Sequence, residues 1–202
     1  MSKKLLIETH TVKISPSQLN ENINKENGNL LVEGILATAE VKNGNGRYYP
    51  RELWEREIDK YMQSVKENRA LGELDHPDSS VINLNNVSHN IVEVTMKGGD
   101  VHGVVEILTT PAGNILKELF RCGVTVGISS RGMGSVEENS DGVLMVQEDF
   151  DLLCFDFVST PSTPGAYMSP MNEGVITPTK DYTKVNNVIR DIICDNTGMC
   201  KC

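Results

Sequence analysis

Two short runs hold the groups best suited to covalent chemistry. GELDHP at residues 72–77 presents His76 among carboxylates and ahead of a proline, and VGISSRG at 126–132 presents paired serines and an arginine between glycines. Acyl transfer through a serine needs a hydroxyl, an imidazole to take its proton, and donors for the oxyanion. His76 and Ser129 stand 53 residues apart, so only a fold unites them, and the chain order is His before Ser.

Pro77 biases His76 toward extended backbone, so the ring is expected to project from a strand end. Glu73, Asp75 and Asp78 favour the imidazolium, which suits a base that accepts a proton in the transition state. The plainer alternative is a surface histidine in an acidic turn. Ser129 and Ser130 alternate across a strand, so one of them faces a cleft and not both. Arg131 shares the face of Ser129 and suits an anionic group or a water near the reaction centre. Gly127 and Gly132 permit close approach of a substrate backbone. Against this stands a glycine-bulged strand with solvated serines. His76, His89 and His102 are spaced 13 apart near Glu73, Asp75 and Glu106, but HExxH and tight ligand pairs are missing. No metal site is expected, and His89 and His102 are read as a pair across a hairpin.

The elements that must position these groups follow from pattern. Lys4–Thr9 reads as a strand and 15–29, rich in Asn and Glu, as an exposed loop. Leu30–Val41 fits a strand buried on much of both faces. After the turn cluster NGNGRYYP at 43–50, Pro50 opens a helix to about Arg69 with Trp54, Ile58, Tyr61, Met62 and Val65 on one stripe. Residues 70–86 lack periodicity and form a loop carrying His76. Val87–Met96 and Val101–Leu108 flank KGGD as a hairpin. Thr110 and Pro111 start a second helix, with Ile115, Leu116, Leu119 and Phe120 toward the core and Gly123 closing it. Strands are predicted at 124–128, 142–147 and 150–158, with ENSDG at 138–142 as a turn and a last helix at 183–195. This order gives an α+β protein, a mainly antiparallel sheet closed as a barrel with helices outside.

Composition narrows the function. A net charge of −9 disfavours nucleic-acid binding, since phosphate neutralisation calls for a basic surface. No apolar run approaches the roughly 20 residues that span a bilayer. Cys122 and Cys154 read as small buried hydrophobes of a reduced compartment. Cys194, Cys200 and Cys202 lack the spacing of a structural zinc site.

LLIET at 5–9, LVEGIL at 31–36, N-x-N-x-R-x-Y-P at 43–50, ALGELDHP at 70–77, GISSRGMGS at 127–135 and DFVSTPSTPGAY at 156–167 together resemble the prohead core proteases of T-even-type tailed phages, relatives of the herpesvirus assemblin-type proteases. The resemblance implies a herpesvirus-protease-like fold, a protease domain over 1–170 and a tail over 171–202. It implies a serine endopeptidase with His76 and Ser129 as the catalytic pair and no cofactor. Assemblin-type enzymes add a second histidine after the serine. Here none follows His102, and Asp156 holds the comparable place, with Asp59 as its rival. The family cleaves after glutamate in an Ile/Leu-x-Glu context, which calls for a cation, and Arg47 and Arg131 are the candidates. Leu31-Val32-Glu33-Gly34 matches that context inside a predicted strand, whereas Glu173-Gly174 lies in a turn-rich segment and is read as a self-cleavage site. Scaffold core and major capsid proteins are the implied partners, met inside an immature head in the host cytoplasm, with a homo-oligomer compatible. A non-catalytic capsid, scaffold or tube subunit of related fold is the alternative.

Overall fold

The structure, a computed structural model, describes residues 4–11, 29–159 and 168–170. The predicted loop at 15–29 apart from Asn29, the predicted helix at 183–195 and Glu173-Gly174 lie outside them. Among the described residues the chain is mostly β-sheet with two helices. In order these are β1 (Lys4–Thr11), β2 (Leu30–Thr38), β3 (Arg47–Tyr48), α1 (Arg51–Lys66), β4 (Leu71–Glu73), β5 (Val87–Lys97) and β6 (Asp100–Ile107). They continue with α2 (Pro111–Arg121), β7 (Gly127–Gly134), β8 (Val136–Glu138), β9 (Leu144–Val146), β10 (Asp151–Val158) and β11 (Met168–Pro170).

The strands form three sheets, ordered β1-β7-β10, β11-β2-β6-β5-β4 and β3-β9-β8. All pairs are antiparallel except β3 with β9. The expected closed barrel is therefore not what the ladders describe. Among the described residues, one isolated parallel bridge, Leu74 with Phe157, joins the ladders of the two larger sheets between the end of β4 and β10.

Alternation explains most of the core, and irregularities explain the rest. In β2, Leu30, Val32, Leu36 and Ala37 are buried while Glu33 is exposed, so one face is buried rather than two. A register shift between Ile35 and Ala37 lets Leu36 and Ala37 both enter the core. Glu33-Gly34 sits within β2 and is paired to β6 and β11. Helix α1 buries Leu53, Trp54, Ile58 and Tyr61. Trp54 and Tyr49 cluster with Phe150 at ring separations of 5.3 to 5.8 Å, and Trp54 stacks on Phe155 at 6.4 Å.

In α2, Thr110 caps the first turn by accepting from Gly113 N at 3.0 Å, and Gly123 leaves the helix at φ 72°. Leu116 and Phe120 are buried, but Ile115 is 57 % exposed, against expectation. The stripe touching β5 is the narrow line through Gly113, Leu116 and Phe120, and Ile115 lies a quarter turn off it. Strand β7 begins at Gly127, later than the pattern suggested, and continues through SSRG to Gly134. The short strands β3, β4, β8 and β11 were not anticipated.

Candidate active site

Strand β7 lies between β1 and β10, and its first six residues are all buried. Ser129 is directly opposite Asp156, and Arg131 opposite Cys154. That phasing depends on an irregularity in β10, where the register slips between Leu152 and Cys154. A one-residue slip changes which face each later side chain occupies, so the bulge puts Cys154 and Asp156 on the face of Arg131 and Ser129. Glu57 of α1 is buried and accepts the bulge amide, Leu152 N, at 2.9 Å. Its other oxygen takes Arg56 Nε at 2.9 Å and Lys60 Nζ at 2.7 Å.

His76 arrives from the opposite sheet. After β4, Asp75 N donates to Phe157 O at 2.8 Å, and Asp75 then turns at φ 71°. Aspartate tolerates that left-handed region better than most residues. Its carboxylate accepts His76 N at 2.8 Å, so Asp75 shapes the turn. The imidazole is thereby laid over the end of β10.

The result is a continuous hydrogen-bonded chain. Ser129 Oγ lies 3.1 Å from His76 Nε2, and His76 Nδ1 lies 2.7 Å from Asp156 Oδ2. Asp59 sits on the exposed side of α1. The side chain of His76 is 10 % exposed and Ser129 is fully buried. Ser130 faces the other way, opposite Phe155, and its hydroxyl is buried without a hydrogen-bond partner among the described residues.

Asp156 is held from every side. Oδ1 accepts Glu73 N at 2.9 Å, Arg131 Nη2 at 3.2 Å and the Cys154 thiol at 3.4 Å. Oδ2 takes His76 and lies 2.9 Å from Arg131 Nε. Burial by itself would raise the carboxyl, but the hydrogen bond from His76, the Arg131 charge and the Glu73 amide hold it below the ordinary aspartate range. Burial and the neighbouring Asp156 push the Cys154 thiol up, so it stays protonated.

Arg131 was a candidate for receiving a substrate glutamate, and its surroundings oppose that. The guanidinium is buried and fully engaged, donating to Glu73 Oε1 at 2.8 Å and Ser79 O at 2.8 Å besides Asp156. Arg47 stands on β3, in a different sheet from the strands that carry Ser129 and Asp156.

His89 and His102 lie on adjacent strands but do not pair. His89 faces Ile107, and His102 faces Thr95. The His89 ring is wholly buried, with Nδ1 2.8 Å from Ser88 Oγ and Nε2 3.0 Å from Phe155 O. Burial lowers it to about 4, so it is neutral and braces β5 against β10. Gly72 makes room for this contact, since a Cβ there would meet Phe155 O at 2.0 Å and His89 Nε2 at 2.3 Å. The glycine of GELDHP thus serves the brace beneath the site. Sequence reasoning had Glu73 and Cys154 in view but not their convergence on Asp156.

A serine, histidine and aspartate joined in this order define the hydrolase type of site that acts through a serine nucleophile. Residues 5–177 match the family model described as prohead core protein serine protease, and the chain belongs to that family. It is 35 % identical over 145 residues to the prohead core protein protease of Enterobacteria phage T4, covering 70 % of this chain and 68 % of that one. The fold matches the structure of the bacteriophage T4 capsid assembly protease, gp21, with a TM-score of 0.69 at 30 % identity. That match covers 79 % of this chain and 99 % of the other. The chain is a serine protease of the capsid-maturation class.

Proposed function

We propose that Ser129 is the nucleophile, His76 the general base and Asp156 the group that orients His76 and stabilises its charged form. The observation that carries this reading is the unbroken contact series of 3.1 and 2.7 Å from hydroxyl to imidazole to carboxylate. Ser129 attacks the scissile carbonyl while His76 Nε2 takes the hydroxyl proton. His76 then returns that proton to the leaving amine, and water hydrolyses the acyl-enzyme by the reverse path.

Scaffold core and major capsid proteins of the immature head, in the host cytoplasm, are the substrates this reading assigns, cut after glutamate in an Ile/Leu-x-Glu context. With Arg131 engaged, Arg47 is the sequence-derived candidate for the glutamate-binding cation, and Arg47→Gln tests it. Residues 1–170 act as the protease domain, and Glu173-Gly174 is the self-cleavage point that frees 171–202. The two larger sheets are read as walls of a herpesvirus-protease-like barrel, a reading supported by the Leu74–Phe157 bridge. The test is cleavage of a capsid-protein substrate, with products located by intact mass. Wild type is expected to cut after glutamate and to lose that cut when the residue is changed to glutamine, and Ser129→Ala is expected to be inactive. Cuts indifferent to the glutamate would remove the specificity claim, and an active Ser129→Ala the nucleophile.

A further inference from the structure

Behind the three reacting residues lies a buried cluster that hydrolysis by serine, histidine and aspartate does not by itself require. Arg131 is two residues after Ser129 on the same face of β7. Its Nη2 reaches Glu73 Oε1 at 2.8 Å, three residues before His76, and its Nη1 reaches Ser79 O at 2.8 Å, three residues after His76. Its Nε and Nη2 lie 2.9 and 3.2 Å from the two oxygens of Asp156. One guanidinium therefore ties together the strand bearing the hydroxyl, both flanks of the segment bearing the imidazole, and the carboxylate between them.

We infer that Arg131 and Glu73 are positioning residues of the catalytic site, Arg131 fixing the orientation of Asp156 and Glu73 setting the net charge that His76 meets. The inference rests on the proposed roles of Ser129, His76 and Asp156. A planar fork donating to Glu73 Oε1, Ser79 O, Asp156 Oδ1 and Cys154 Sγ is a task for arginine, because an ammonium offers a point charge without fixed directions. Glu73 is fully buried and its Oε2 finds no hydrogen-bond partner among the described residues. A buried carboxylate oxygen without a donor costs stability, and a catalytic role is one of the few accounts of such a group.

The charges explain the gain. Glu73 and Asp156 carry two negative charges and Arg131 one positive, leaving the buried cluster one negative charge in excess. An imidazolium at His76 neutralises it, and that is the species formed when Ser129 is deprotonated. Among the described residues, the other titratable groups facing Asp156 are Cys154 on β10, His89 on β5 and Tyr61 on α1. The Cys154 thiol and the Tyr61 phenol are pushed up and His89 is pushed down, so all three are neutral near pH 7. Asp75 and Asp78 flank His76 on its own segment.

The experiment uses the full chain as wild type, Glu73→Gln, Arg131→Lys and Ser129→Ala, with kcat and KM on a capsid-derived peptide across pH and a thermal melt for each. Glu73→Gln keeps the shape and removes one negative charge. The imidazolium is then less favoured, and the acid limb of kcat/KM is expected to move to lower pH by at least about half a unit. Arg131→Lys keeps the charge and loses the fork. Its kcat is expected to fall about 10- to 100-fold, with KM within about threefold and the acid limb in place. A purely structural role would change the melting temperature without moving the limb. A folded Glu73→Gln variant whose profile superimposes on wild type overturns the inference, and this variant decides the matter even where Arg131→Lys does not fold. Retained activity in Ser129→Ala would instead sink the underlying catalytic reading.

Discussion

Replacing Asp156 by asparagine removes one charge and one acceptor at the centre of the site. Oδ1 receives the Glu73 amide and Arg131 Nη2, neither of which can reverse its role. Oδ2 receives His76 Nδ1 and lies 2.9 Å from the Arg131 Nε cation, and apart from the weak Cys154 thiol on Oδ1 only the imidazole can switch from donor to acceptor. The asparagine oxygen therefore belongs at the Oδ1 position, and its amide turns toward His76 Nδ1. Nδ1 must then accept, so the proton moves to Nε2, the atom that faces Ser129 Oγ at 3.1 Å. A protonated Nε2 cannot take the hydroxyl proton. In a serine triad this tautomer error costs about 10⁴-fold in kcat, equivalent to about 5.5 kcal/mol of barrier. Stability falls as well, on the order of 3 kcal/mol, because Arg131 loses part of its buried compensation. Steady-state cleavage normalised to folded protein measures the first effect, and denaturant unfolding the second. A folded Asp156→Asn enzyme within tenfold of wild type would refute the reasoning.

Other outcomes follow from the same geometry. Ser130→Ala is expected to leave activity within about twofold and stability unchanged or raised by up to about 1 kcal/mol, as its hydroxyl is buried without a partner among the described residues, measured by kinetics and a melt. Gly72→Ala drives a methyl into Phe155 O and His89 Nε2 and is expected to cost roughly 2–4 kcal/mol in urea unfolding. His89 is neutral in the folded protein down to about 4 but protonates near 6.5 when unfolded. The unfolded state therefore binds more protons in that window. Stability is full above the upper value and falls by about 3 kcal/mol as pH drops to the lower one. Unfolding free energies across this range are expected to show that slope, reduced in His89→Gln.

The sequence displayed its reactive groups because their context is local. A histidine before proline in an acidic run and a serine pair between glycines are readable within six or seven residues. Asp156 entered through its place after the serine in the family pattern. Its register opposite Ser129 was not readable, because that depends on the bulge between Leu152 and Cys154 and on an α1 glutamate that satisfies the bulge amide. Arg131 was read as a substrate contact because strand alternation put it beside Ser129. Its engagement by Glu73 and Ser79 arises from the approach of a second sheet, which alternation within one strand does not encode. Ile115 fits a helical apolar stripe by spacing, yet the neighbouring sheet covers a narrower line. The barrel was inferred from strand order, which is silent on where ladders stop.

The central claim concerns which hydroxyl is acylated and what activates it. A small fluorophosphonate is reacted with the active protein to full inhibition, and the adduct is located by peptide mass mapping. One adduct per chain on Ser129 is expected, absent in His76→Ala and unchanged in Ser130→Ala. Inhibition with the adduct on another residue, or full activity remaining in protein quantitatively modified at Ser129, would contradict it.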